Sequence, residues 1–241
     1  MEKSLNFVDH LSELRKRIIS TGFAFVLSFI IAFIFVEELY LLLVKDLDGK
    51  LALLGPGDIL WIYMVISGVI ALAATIPVAA LQIWQFVKPA LTKEEQRVTL
   101  GFIPGLFILF IFGLAFGYFV LFPIVLSFLI GMAGDQFETF FTAEKYFKFM
   151  LNLTLPFGFL FEMPAVVMFL TRLGIVNPHK LVKGRKISYF LLVVVSILIT
   201  PPDFISDVLV IIPLLLLYEI SISLSKLVFR RRLASKEIGS N

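Results

Sequence analysis

VTLGFIPGLFILFIFGLAFGYFVLFPIVLSFLIGMAG, from Val98 to Gly134, has no charged side chain, and whether it makes one helix or two decides the topology of the chain. A helix needs about 20 apolar residues at about 1.5 Å rise each to cross a hydrocarbon core of roughly 30 Å. Working outward, uncharged runs also cover Ile18–Val36, Ile59–Val87 and Ile187–Pro202. Phe149–Thr171 and Val208–Ser225 are similar, each interrupted by one acid, Glu162 and Glu219. With 59% hydrophobic and 16% charged residues, the composition fits an all-α polytopic membrane protein better than a water-soluble domain.

Charge arbitrates between one helix and two. Of 21 Lys and Arg, Lys45, Lys50, Lys145 and Lys148 fall in the first and third connections. The rest lie before the first run, in the second connection (Lys88, Lys93, Arg97), in the fourth (Arg172 to Lys186) and in the tail from Lys226 onward. The positive-inside rule then gives six spans with both termini cytoplasmic. Cutting Val98–Gly134 in two would put the basic Arg172–Lys186 connection outside. The expectation is therefore one long helix, bent near Pro104 and ending near Pro123, because proline removes a helical hydrogen bond. The last two spans are short. Ile187–Thr200 rises only about 21 Å, so the turn at Pro201-Pro202-Asp203 should stop short of the outer surface.

Composition excludes several chemistries. There is no Cys, so disulfides, thiolate metal sites and thiol catalysis are absent. His10 and His179 lie in different segments, and no HExxH, GxSxG or GxxxxGK[ST] pattern occurs. No cofactor and no enzymatic activity are expected. No cleavable leader and no internal repeat are visible, and the net charge of +3 reflects topology rather than nucleic-acid binding.

Residues 1–17 read as an amphipathic helix: Leu5, Val8, Leu11, Leu14 and Ile18 form one stripe, with Glu13 and Arg17 paired at i,i+4. An interfacial helix with solvated charges would explain this segment. In the second connection, Thr92 and Glu95 fit a helix-capping box. The functional alternative is that Glu13, Glu94 and Glu95, carboxylates on a basic face, suit a cationic ligand. Guanidinium is favoured, since carboxylate binds it through a two-pronged fork.

Six segments, in order, carry a resemblance: H-L-S-E-L-R-K-R (His10–Arg17), P-A-L-T-K-E-E-Q-R (Pro89–Arg97), A-F-G-Y-F-V-L-F-P (Ala115–Pro123), F-G-F-L-F-E-M-P (Phe157–Pro164), T-P-P-D-F-I-S-D (Thr200–Asp207) and I-P-L-L-L-L-Y-E (Ile212–Glu219). Together they resemble the TatC family, the multi-spanning core of twin-arginine protein translocation. The resemblance implies one TatC-like transmembrane domain over residues 1–241, with 226–241 a cytoplasmic tail, in the cytoplasmic membrane of a prokaryote. It implies binding of the signal's arginines at Glu13 and Glu95, with Arg15, Arg17 and Phe86 around them. It also implies single-span partners of the TatA type, with or without a TatB type, self-association in a translocase complex, and export of folded proteins driven by the proton-motive force. Asp46, Gly57-Asp58 and Asp207 depart from the family's usual residues.

Two acids remain. A charge in mid-span costs about 2.5–3.5 kcal/mol, so Glu162 should be protonated, hydrated or partnered. An interhelical hydrogen bond would suffice structurally, while the resemblance implies contact with a partner or signal helix. Asp203 suits a helix N-cap, and the resemblance adds a functional role in the outer loop. Glu219 should snorkel or pair with Lys226. The rival reading is a proton-coupled small-molecule transporter with Glu162 as relay.

Overall fold

Helices make up nearly all of the described residues, 2–45, 51–91, 93–133, 140–200 and 203–238 of a computed structural model. Asp46, Thr92, Pro201 and Pro202 lie outside them, as do the side chains of His10, Glu94, Glu95 and Arg97. Five stretches are long and apolar enough to cross a membrane: Leu11–Ile34, Gly57–Val87, Phe102–Met132, Ala143–Leu173 and Phe204–Arg230. A sixth apolar helix, Arg185–Ile199, has 15 residues and rises only about 22 Å.

Two compact units emerge from the packing: residues up to Phe107 with Phe140–Phe147, and Ile108–Thr139 with Lys148–Asn241. In the first unit, α1 (Glu2–Ile34) joins the amphipathic segment and the first apolar run without interruption, and α2 (Val36–Val44) follows. Helix α3 (Gly57–Val87) presents Ser67, Ala71 and Thr75 at four-residue spacing, all buried, beside Gly68. Small residues let helix backbones approach closely. A Cβ on Gly68 would lie 4.0 Å from the Phe29 ring of α1, where Phe25, Phe29 and Phe33 form a ladder with centroids 6.3 and 6.1 Å apart. At the far end Tyr40 lies between Tyr63 and Phe147, and Ala52 bridges Thr142, with the Ala143 amide donating to its carbonyl at 2.8 Å. The Asp58 carboxylate accepts from the amides of Leu54 and Gly55, closing the start of α3. At the opposite end, a short 3-10 turn (Lys88–Ala90) leads to α4 (Lys93–Leu100).

Val98–Gly134 departs from expectation at both prolines. Pro104 lies in the first turn of α5 (Phe102–Phe116), where its missing N–H has no helical partner to lose; the chain breaks at Gly101 instead. Pro123 does not end the helix. One π-turn, Gly117–Leu121, accommodates it, with the Phe122 amide bonded five residues back to Gly117, and α6 (Phe122–Ala133) continues.

Within the second unit, Gly113 and Gly117 bring this long helix against α7 (Ala143–Leu160). A Cβ on Gly113 would come within 2.9 Å of Gly158 Cα, and one on Gly117 within 2.7 Å of Thr154 Cα. Only glycine fits there. Phe110, Phe116, Phe157 and Phe161 close around this crossing. Helix α8 (Met163–Leu173) ends at Gly174, whose φ of 79° is left-handed. Its Thr171 hydroxyl bonds the Ser225 hydroxyl at 2.7 Å, both buried. Ser225 belongs to α11 (Phe204–Ile238), reached through α9 (Pro178–Lys183) and α10 (Arg185–Ile199).

Candidate functional site

The predicted ligand-binding residues Glu13, Arg15, Arg17, Phe86 and Glu95 all belong to the first unit. Glu13 and Arg17 stand one turn apart on α1, and the expected pair forms: Nη2 of Arg17 donates to Oε1 of Glu13 at 3.1 Å. Arg17 then reaches α3. Its Nη1 donates to Oε1 of Gln82 at 3.1 Å and to Oε1 of Gln85. Nε2 of Gln82 returns to α1, donating to the Ser20 hydroxyl at 3.1 Å. The network is half-buried, and Nε of Arg17 is fully enclosed without an acceptor among the described residues. Arg15 is exposed on α1, and Phe86 is half-buried in the last turn of α3.

Bracing of the α3–α4 connection is strong. Nε1 of Trp84 donates to the Thr99 hydroxyl at 2.9 Å, and the Lys88 ammonium lies 5.2 Å from the Trp84 ring centroid. Nε2 of Gln96 donates to the carbonyls of Lys88 and Leu91 at 3.1 and 3.0 Å. These bonds fix α4, whose first turn carries Glu95. The capping box expected of Thr92 and Glu95 lies outside the described side chains.

Gln82 and Gln85 are the members that sequence reading misses. Their signal is L-Q-I-W-Q-F, two amides three residues apart near the end of an otherwise apolar run. Amides within a span need partners, and here the partner is one guanidinium.

The two remaining candidates belong to the second unit. Glu162 occupies the turn between α7 and α8, because Pro164 cannot donate to the carbonyl of Leu160 and the α-helical ladder breaks there. The Glu162 amide bonds Phe159 three residues back instead of four. Its Oε1 is buried and unpartnered among the described residues. Asp203 takes the helix-capping role: Oδ1 accepts from the Ser206 amide at 2.7 Å, while Oδ2 is buried without a partner among the described residues. Nearby, the Thr200 hydroxyl bonds Asp207.

Glu219 does not take Lys226, one of the two alternatives the sequence offers, as its partner. It pairs with Arg185 at 2.7 Å and accepts from the Tyr189 hydroxyl at 2.5 Å. Arg185 opens α10 beside α11, while Lys226 lies seven residues along α11, two turns beyond Glu219. Among the described residues no three His, Asp or Glu side chains gather as a metal site.

Residues 9–213 match the family model for the Sec-independent protein translocase protein TatC. The sequence is 65% identical over 232 residues to the Sec-independent protein translocase protein TatCd of Bacillus subtilis strain 168, covering 96% of each chain. It is 42% identical over 231 residues to TatCy of the same strain, covering 94% of this chain and 91% of that one. The fold superposes on a crystal structure of the twin-arginine translocase receptor TatC with a TM-score of 0.79 at 36% identity, covering 91% of this chain and 99% of the other.

Proposed function

This chain belongs to the TatC family of Sec-independent protein translocase proteins, and from that premise we propose that it is the core receptor subunit of a twin-arginine translocase. It spans the cytoplasmic membrane of a prokaryote six times with both termini inside, the short helix α10 serving as the fifth span. Folded precursors dock through their signal peptides. Glu13 and Glu95 accept the signal's paired arginines, with Arg15, Arg17 and Phe86 shaping the surroundings. Glu162 meets a polar group of a signal or partner helix in mid-membrane, and Asp203 acts at the outer hairpin. Single-span partners of the TatA type assemble on the occupied receptor, and the proton-motive force drives export.

The observation that carries this reading is the 65% identity to the Bacillus subtilis TatCd along 96% of both chains. The site reading adds a chemical argument. Carboxylates on a basic face select guanidinium over ammonium, because the planar fork offers two parallel donors.

The test is titration of a fluorescent twin-arginine peptide against the purified protein in lipid nanodiscs. A hydrogen bond to a charged group contributes about 1.5–3 kcal/mol, so Glu13→Ala or Glu95→Ala should each weaken binding roughly tens-fold. The double variant should nearly abolish it. Undiminished binding by the double variant defeats the assignment of the site.

A further inference from the structure

Glu13 faces a difficulty if it is to accept a signal arginine, because the chain already places an arginine of its own against it. Left to themselves, a carboxylate and a guanidinium pair through two parallel N–H···O bonds, which would use both oxygens of Glu13. That fork does not form. Nη2 of Arg17 reaches Oε1 of Glu13 at 3.1 Å, and Nη1 is drawn away to Gln82 and Gln85 on α3. The side-on fork is unused as well: Nε is buried with no acceptor among the described residues. Oε2 of Glu13 has no partner among them either.

The two amides suit this task. Each offers a side-chain carbonyl oxygen that accepts from Arg17 across to α3. Gln82 is oriented by its own donor bond to Ser20, which commits its nitrogen to α1 and its oxygen to Arg17.

Resting on the signal-binding role proposed for Glu13, we infer that Gln85, together with Gln82, is a positioning residue: it draws Arg17 onto α3, so that Arg17 holds Glu13 by one oxygen and leaves the other for the guanidinium of an incoming signal arginine. The amides thus convert a self-satisfied ion pair into a half-occupied one. Without them, Arg17 is free to close its fork on both oxygens and compete with the ligand.

The experiment compares Gln85→Met and Gln85→Glu in the full-length protein in nanodiscs, with a twin-arginine peptide as probe. Methionine matches the side chain's volume but accepts no comparable hydrogen bond; glutamate keeps an acceptor at the same reach. The expected result is about tenfold weaker binding for Gln85→Met, the order of one hydrogen bond to a charged group. Binding within about twofold of wild type is expected for Gln85→Glu. A Gln82→Met, Gln85→Met double variant should lose more than either change alone. Wild-type affinity in both Gln85 variants overturns the inference, and so does equal loss in both, since that points to packing rather than to an acceptor. Glu13→Ala run alongside separates the two levels. If it binds normally, the site reading falls and takes the inference with it; if it fails while Gln85→Met binds normally, only the positioning role falls.

Discussion

Replacing Gly113 by alanine should force apart two closely packed helices. The added Cβ would lie 2.9 Å from Gly158 Cα and from the Phe157 carbonyl carbon, and nearer still to the Phe157 oxygen. All three are backbone atoms, so no rotamer change relieves the contact. Ordinary carbon contacts sit at about 3.5–4.0 Å, so α5 and α7 must part by roughly 0.6–1 Å. That opening loosens the rings of Phe110, Phe116, Phe157 and Phe161. Overpacking of this kind costs about 1–3 kcal/mol, from which alanine's better helix propensity returns at most about 1. Gly158→Ala should be milder, because its Cβ meets the Phe110 ring at 2.8 Å and the Leu114 side chain at 3.1 Å, both able to yield. Gly131→Ala meets nothing within 4 Å and should be neutral or stabilising. Thermal unfolding of the purified protein in nanodiscs, followed by intrinsic fluorescence, reads this order directly. A midpoint for Gly113→Ala at or above that of Gly131→Ala would refute the close-packing argument.

Other outcomes follow from the polar groups. Glu162→Gln should keep much of the export activity, because the amide still donates and accepts at the same reach. Glu162→Ala should bind twin-arginine peptide normally but crosslink poorly to a TatA-type partner; a proton-coupled transporter predicts instead that Gln is as inactive as Ala. Removing one hydroxyl of the Thr171–Ser225 pair, by Thr171→Val, should lower stability by about 1 kcal/mol, and adding Ser225→Ala should recover part of it, since no orphan hydroxyl then remains. Chemical unfolding of wild type and these two variants measures this. Single cysteines in this thiol-free chain should label from outside at Asp58, from inside at His179, and slowly or only with small reagents at Phe204, because α10 is too short to bring that turn to bulk water. Outside labelling at His179 would break the six-span topology.

Helix content and span positions are legible in the sequence because they depend on composition summed over many residues. The continuous helix Phe102–Met132 follows from where the lysines and arginines lie, not from hydropathy, which permits two spans equally well. The prolines are harder to read. Each has a local effect on its helix, but whether it bends, ends or merely widens that helix depends on position within a turn and on the facing helix. Pro104 falls where its defect is harmless, and Pro123 is absorbed by a π-turn. At the site, the i,i+4 pair Glu13–Arg17 is local and therefore readable. The link from Arg17 to Gln82 and Gln85 crosses some 65 residues and depends on the close approach of α1 to α3, which no periodicity encodes. Glu219 shows the same limit: its sequence neighbour Lys226 is the obvious partner, yet Arg185, 34 residues away, takes that place.

The π-turn before Pro123 amounts to one extra residue threaded into an otherwise regular helix, and it resets the phase of everything after it. Upstream, Phe110, Gly113 and Gly117 point inward at ordinary helical intervals; after the turn, Leu121 and Phe122 are both buried, side by side, and Val125 continues the inward line. Forcing these five residues into regular α pitch without removing one would rotate the remaining segment by about 100°, the angle per residue of an α-helix. Pro123 and Ile124, which now face outward, would swing toward the interior and displace Val125. The segment therefore works as a phase-setter, in which residue count matters more than residue identity, and a one-residue deletion should be tolerated better at these five positions than in the regular turns on either side, because it removes the bulge and leaves the later residues facing as they do now.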